Sequence, residues 1–397
     1  MKLIKREKYL NELINVMGTP DIKVIIGIRR SGKSKLLEAL KKYINEFVDN
    51  SNVIHINYNL PQFGNIMTSE KLLEYIEKNS KEDLQNIILI DEVQMCKNFE
   101  VAINGLHAQE KYDIYITGSN AFLMSSDLAT LFTGRTFTIE IYPFSFKEFQ
   151  KYYEYENTQE AFEHYVKEGG MAGSYLYKTE KEKYRYIKDV FKTLIIRDIR
   201  QKYRIKNTDI MQNLTDYLMD NISNLTSANK ITKFLNSNHM SITNKTINNY
   251  IEYLCNAFAF YKIKRYDIRG KKYLSTQNKY YLADPSFKYA VLGTKNMDYG
   301  KIYENIVVIE LLRREYEVYV GTLYQKEIDF IAKKQDEKIY IQVSDDISNK
   351  NTFTREVSSL LQIKDAYPKI LIANTKHDTY LYEGIKIIDI KNWLIED

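Results

Sequence analysis

The sequence predicts an α/β fold: a helix-covered parallel sheet first, then helices, then a second α/β region. Two observations carry this. Short, nearly all-apolar runs recur at Val24-Ile25-Ile26, Val53-Ile54-His55-Ile56, Ile87-Ile88-Leu89-Ile90 and Ile114-Tyr115-Ile116, with helical patterns between them such as 35–47 and 69–78. Runs of that kind are buried on both faces, as parallel strands covered by helices are. A further run, 137–141, is expected to close the sheet. The second observation is the change after Tyr142-Pro143-Phe144, beyond which the pattern is wholly helical to about Tyr203.

The middle reads as three helices, 208–222, 228–236 and 244–255, followed by a hairpin. Its strands are 261–265 and 273–282, around Arg269-Gly270-Lys271. The end opens on an amphipathic helix, 299–316, and continues with strands at 317–321, 327–332, 339–343 and 369–372. Four segments are therefore expected: 1–150, 151–204, 205–294 and 295–397.

The totals bound the class. A chain of 397 residues is too long for one ordinary core. Hydrophobic residues at 44% and charged residues at 27% describe a folded soluble chain, not a disordered one. With 5 prolines and 15 glycines there is little room for flexible linkers, so the domains should abut. The 34 tyrosines read first as a compositional bias of the genome. A net charge of +5 permits a nucleic-acid partner without demanding one. Cys96 and Cys255 lie far apart with no CxxC spacing, which excludes a disulfide framework or zinc knuckle and fits a reducing cytoplasm. The first residues lack a signal-peptide core, and the greasiest stretch, 302–312, is broken by charge and too short for a bilayer. A soluble cytoplasmic protein without a membrane partner is expected.

Gly27-Ile28-Arg29-Arg30-Ser31-Gly32-Lys33-Ser34 fits G-x-x-x-x-G-K-[ST] at every fixed position, after a strand and before a helix that takes in Lys35. Glycines let backbone N–H groups turn onto phosphates, and the helix N-terminus adds partial positive charge. Lys33 would neutralise the β- and γ-phosphates of ATP, and the Ser34 hydroxyl would hold Mg²⁺. The side chains of Arg29 and Arg30 lie within the loop but are not required by the backbone cradle, with surface charge as their default role. Asn86–Ile90 runs into Asp91-Glu92, which places Asp91 at a strand tip to orient Mg²⁺ and Glu92 where it can polarise the attacking water. After the fourth strand, Ser119 and Asn120 either touch the γ-phosphate or end the strand in an N-capped turn. Arg135 either reaches a neighbouring copy's ATP or pairs with a carboxylate.

With those residues in place the chain resembles a large prokaryotic group of AAA+-like ATPases that carry a C-terminal nuclease-like domain. The matching stretches are G-I-R-R-S-G-K-S, I-I-L-I-D-E-V-Q, I-T-G-S-N-A-F-L-M, L-F-T-G-R-T-F and Y-P-F-S-F-K-E-F. Glu168-Gly169-Gly170-Met171-Ala172-Gly173 matches too, with Ala172 where Pro is usual. So do Tyr303-Glu304-Asn305, Glu327-Ile328-Asp329-Phe330, Ile341-Gln342-Val343 and Thr354-Arg355-Glu356. The resemblance implies an ASCE-type nucleotide sheet, a helical lid, a winged helix and a restriction-endonuclease-like end domain. It favours Arg135 as an arginine finger in a homo-oligomer, and Ser119 or Asn120 as the γ-phosphate sensor.

Under that resemblance the third middle helix, with Lys245, would face nucleic acid. The hairpin's Lys262, Lys264, Arg265, Lys271 and Lys272 suit phosphates of double-stranded DNA, or else form a solvated face. In the end domain, Asp329 stands at the metal-binding Asp and Glu304 at the helix Glu of PD-(D/E)XK nucleases. Gln342 and Ser344, however, replace the Glu and Lys of the E-x-K element. A nuclease fold kept for binding is therefore expected over an ATP-gated nuclease. The functional expectation is an ATPase associated with DNA, with a nucleotide switch for a protein partner as its rival.

Overall fold

The computed structural model describes residues 4–396 apart from 119–129, 131, 133, 239, 295–296, 325 and 376. Ser119 and Asn120 lie outside the described residues. The chain forms two compact units, one of residues 1–141 with 196–203, the other of 142–195 with 204–397. No described helix is long and apolar enough to cross a membrane.

In the first unit the apolar runs form a parallel sheet: β1 Ile22–Ile26, β2 Ser51–Asn57, β3 Gln85–Asp91, β4 Tyr112–Thr117 and β5 Thr136–Glu140, in the order β2-β3-β4-β1-β5. Helices Lys33–Phe47, Ser69–Asn79 and Phe99–Ala108 make the crossovers. All five residues of β1 are buried, as a strand covered on both faces requires. That burial includes Lys23, whose ammonium is held 2.7 Å from the Asp113 carboxylate on adjacent β4. A lysine so enclosed is tolerated only with its counter-charge in place.

The second unit opens on helices whose boundaries are written locally. In Tyr142-Pro143-Phe144-Ser145-Phe146-Lys147-Glu148-Phe149 the Ser145 side chain caps the helix Phe146–Tyr153, and Glu148 returns the bond in a capping box. Helices Thr158–Glu168 and Glu180–Thr193 follow, and these belong with the C-terminal residues in one unit. The Gly169-Gly170 pair shows how. A Cβ on Gly169 would sit 2.0 Å from Asp284 Oδ1, and one on Gly170 would sit 2.2 Å from the Phe144 carbonyl oxygen. Gly170 N–H donates to Asp284 Oδ2 at 2.5 Å, so the motif closes a backbone joint that no side chain could occupy.

Helices Thr208–Asp220, Ala228–Ser237 and Asn244–Asn256 precede the hairpin, β6 Phe260–Asp267 and β7 Lys272–Leu282. This hairpin is not a free-standing wing. It continues into β8 Glu317–Leu323, β9 Lys326–Lys334, β10 Glu337–Ser344, β11 Lys369–Ala373, β12 Tyr380–Tyr382 and β13 Ile385–Asp389. The mixed sheet has the order β12-β13-β11-β10-β9-β8-β6-β7, and β6 pairs parallel to β8. The helix Tyr299–Arg313 grips its edge: Asn305, fully buried, accepts from Leu282 N–H and donates to Leu282 C=O, each at 2.8 Å. Helix Lys350–Leu361 packs over β9, β10 and β11.

Candidate functional site

Because β1, β3 and β4 run parallel, their C-terminal ends meet at one sheet edge, and that edge carries the nucleotide motifs. Gly27 leaves β1 with φ +140°, and a Cβ there would lie 2.1 Å from the Ile141 carbonyl oxygen. Only glycine lets the loop pass this close. Arg30 and Gly32 also take positive φ, 67° and 103°, which curls the loop onto the start of the helix Lys33–Phe47. Lys33 lies buried in the curl, its Nζ donating to the carbonyls of Gly27 at 2.7 Å and Ile28 at 3.1 Å. Burial brings its pKa down to about 8, against the attraction of Glu92, Asp91 and Asp198. Ser31 Oγ is buried without a hydrogen-bond partner, Ser34 is half-buried and Lys35 is exposed.

Asp91 closes β3, 1% exposed. Its Oδ1 accepts from the Thr117 hydroxyl, while its Oδ2 is buried with no partner. An orphaned carboxylate oxygen beside a phosphate loop is costly unless something cationic comes to it. Glu92 sits at φ 60°, held by its own N–H to Thr117 Oγ1 at 3.2 Å and by the Gln94 amide on its carboxylate. Left-handed backbone on a non-glycine residue costs free energy, and here it turns the carboxylate out of the strand.

Thr117, which opens the stretch that offered Ser119 and Asn120 as candidates, is the residue of that stretch that meets the acidic pair. It is fully buried at the tip of β4, and the register Ile90↔Ile116 sets it beside Asp91. Its one hydroxyl serves both members of the acidic pair.

Arg29 lies with the loop, its Nη1 3.4 Å from Asp198 Oδ2. Arg135 is exposed and precedes β5, which runs parallel to β1 with Ile22 opposite Thr136. The loop leaves the other end of β1. The five-residue strand separates them by roughly 13 Å at about 3.3 Å per residue, so Arg135 stands away from its own chain's Gly27–Ser34 loop.

The end domain gathers a second polar cluster. Glu304, Asp329 and Gln342 line a cleft of about 550 Å³, as the motifs suggested, but the centre of the cluster is Lys279 of β7. Lys279, 2% exposed, lies 3.2 Å from Glu304, 2.7 Å from Glu327 and 3.8 Å from Asp329. Burial alone would lower its pKa, but Glu304, Tyr281, Asp329 and Glu327 together hold it well above the ordinary value. Burial and then Glu304 raise the Asp329 carboxyl well above its usual range. Asp329 Oδ2 accepts from Val343 N–H at 2.9 Å, and Gln342 Nε2 donates to Glu356 at 2.9 Å. Lys326, the nearest substitute for the lysine missing at Ser344, donates to Ser358 Oγ at 3.2 Å. Among the described residues no group of three His, Cys, Asp or Glu is placed to hold a metal ion.

Of the basic residues proposed for DNA, Lys245, Lys262, Lys264, Lys271 and Lys272 are exposed. Arg265 is not free for that role. It is half-buried, with its guanidinium donating to Gln277 at 3.3 Å and Thr322 at 3.1 Å.

Comparison with known proteins matches three stretches of the chain. Residues 19–150 match a family model described as an AAA domain, residues 159–298 a domain of unknown function (DUF8612) and residues 299–393 another (DUF4143). Similar solved structures include AMPPCP-bound DnaA from Aquifex aeolicus, at 16% identity over 62% of this chain and 86% of that one, TM-score 0.31. The Aeropyrum pernix ORC1 protein in complex with DNA matches at 12% identity over 79% of this chain and 95% of that one, TM-score 0.32. An uncharacterized protein of Methanocaldococcus jannaschii is 28% identical over 100% of this chain and 91% of its own. An uncharacterized protein of Haemophilus influenzae is 38% identical over 99% of both chains. At that identity along the whole length, the chain belongs to the same family as the Haemophilus influenzae protein, with an AAA domain at residues 19–150.

Proposed function

We propose that the protein binds and hydrolyses ATP at the edge formed by Gly27–Ser34, Asp91, Glu92 and Thr117, and that it acts in association with DNA. The observation that carries the first half is the orphaned Asp91 Oδ2 at the tip of β3, on the same sheet edge as the loop around Lys33. Mg²⁺ is the cation such a site takes, and Ser34 and Asp91 are the residues that would hold it. When bound, it neutralises charge building on the phosphates.

The chain's own groups do the rest. Backbone N–H groups of residues 29–34 cradle the phosphates, and Lys33 turns from its loop carbonyls to the β- and γ-phosphates. Thr117 fixes Asp91, and Glu92 accepts a proton from the attacking water. The exposure of Arg135, at the opposite end of β1 from the loop, supports a role for it as an arginine finger supplied in trans to a neighbouring copy.

DNA association is supported by the exposed lysines of the hairpin and by Lys245. Cleavage of DNA is not part of this reading. Lys279 already occupies the carboxylate cluster, so a metal ion would have to displace a buried, thrice-paired ammonium.

The test is ATPase rate with and without duplex DNA, in the wild type and Glu92→Gln. Mg²⁺-dependent hydrolysis stimulated by DNA is expected, with Glu92→Gln binding ATP normally but turning over about 100-fold more slowly or worse. Wild-type turnover in Glu92→Gln would sink the assignment of the base, and hydrolysis indifferent to DNA would favour a switch for a protein partner.

A further inference from the structure

The stretch 196–203 is remote in sequence from the nucleotide sheet yet belongs to its compact unit. It enters through a π-helical turn, Leu194–Ile199. Such turns are rare, and they collect where a helix is bent to deliver a side chain to a site. The side chain delivered here is Asp198, 4% exposed, and it meets Arg29 in the phosphate loop.

Two features of this pair point beyond packing. Arg29 Nη1 lies 3.5 Å from one Asp198 oxygen and 3.4 Å from the other, well outside the about 2.7–2.9 Å of a tight charge-assisted bond. The contact is loose although the carboxylate is buried. Second, Arg29 stands two residues from Gly27, inside the loop proposed above to cradle the phosphates, and keeps 22% of its side chain exposed. A guanidinium there has two competing anions within reach: one carboxylate charge, and the several charges of a nucleoside triphosphate. The triphosphate is the stronger attractor, and planar guanidinium suits phosphate oxygens.

We infer that Asp198 is a positioning residue that competes with nucleotide phosphate for Arg29, so that nucleotide binding loosens the hold of the 196–203 stretch on the phosphate loop. This rests on the nucleotide-site reading above. The stretch is continuous in the chain with Ile195 on one side and Arg204 on the other, both members of the second unit. Transfer of Arg29 from Asp198 to phosphate is therefore a covalent route by which nucleotide state reaches the rest of the chain.

Titration of the full-length protein with ATP and with AMP tests this, using calorimetry for Asp198→Asn, Arg29→Gln and the double variant. Asp198→Asn is expected to tighten ATP binding about three- to tenfold and leave AMP, which lacks the outer phosphates, unchanged. In the Arg29→Gln background the same substitution should have no effect. A gain for AMP equal to that for ATP, or a gain that persists without Arg29, overturns the proposal. Should Asp198→Asn fold poorly, hydrogen exchange on the wild type decides. A non-hydrolysable ATP analogue should slow exchange in the helix Lys33–Phe47 and speed it across 196–203. Slowed or unchanged exchange across 196–203 overturns the proposal. Lys33→Ala separates the two failures: if it still binds ATP, the nucleotide-site reading itself has failed, and if it does not while Asp198→Asn behaves as wild type, only the competition with Asp198 has.

Discussion

Two of the protein's buried lysines, Lys33 in the first unit and Lys279 in the second, are handled in opposite ways. Lys33 touches backbone carbonyls, and its acidic neighbours Asp91, Glu92 and Asp198 act on it only through space. Burial dominates and its pKa falls to about 8. Lys279 is ion-paired with Glu304, Glu327 and Asp329, and its pKa is held well above the ordinary value. A buried cation is available to a ligand only where the protein has not already neutralised it. By that measure Lys33 is open to a ligand, whereas Lys279, like Lys23 with Asp113, is structural.

The largest effect expected from this contrast is on stability. Lys279→Met should destabilise the protein by about 3–5 kcal/mol, because it strands buried carboxylates. Adding Glu304→Gln and Asp329→Asn should recover much of the loss. Chemical denaturation of the single and the triple variant measures both, and a mild single variant would mean that the cluster is not a structural unit. Next, Lys33→Ala should weaken ATP binding by about 100-fold with little change in melting temperature. Equal affinity in that variant would erase the distinction between the two lysines.

A pH series sharpens the comparison further. The phosphates need Lys33 protonated, and its pKa before nucleotide binds is about 8. ATP affinity should therefore be level below pH 8 and fall above it, by at most about tenfold per unit, as the free protein loses a proton that the complex must regain. Binding that stays level to pH 9.5 would contradict the burial argument. The smallest effect concerns the hairpin, where Lys262, Lys264, Lys271 and Lys272 are open to solvent. Neutralising all four should flatten the salt dependence of duplex binding, by about one unit of slope for each phosphate that no longer meets a lysine. An unchanged slope would place the DNA on another face of the protein.

What the sequence discloses here is what lies close together in it. Gly27 through Ser34 and Asp91-Glu92 are legible because the loop, the strand tip and the helix start are built from neighbours in the chain. The strands of the first sheet are legible because burial on both faces leaves few polar residues in them. Thr117, Lys279 and Asp198 depend instead on register and long-range pairing. Nothing local in Thr117-Gly118 says that it sits across from Asp91, and Lys279 is one of many lysines until β7 meets the helix Tyr299–Arg313 and β9. The hairpin is legible as a hairpin, but its enrolment in an eight-stranded sheet depends on β8, about fifty residues later in the chain. The short β12 is hidden for another reason: its three residues are all exposed, so no apolar pattern marks it.

The interleaving of the two units also governs how the chain is made. Residues 1–141 and 196–203 complete one unit, while 142–195 is drafted into the other. During synthesis the nucleotide sheet therefore emerges well before its last piece, and it waits for about sixty more residues with Arg29 lacking its partner on 196–203. A fragment cut at residue 150 would be held permanently at that stage. Activity measured on such an excised sheet describes an unfinished unit, and the natural place to divide this protein for biochemistry is nowhere between residues 142 and 203.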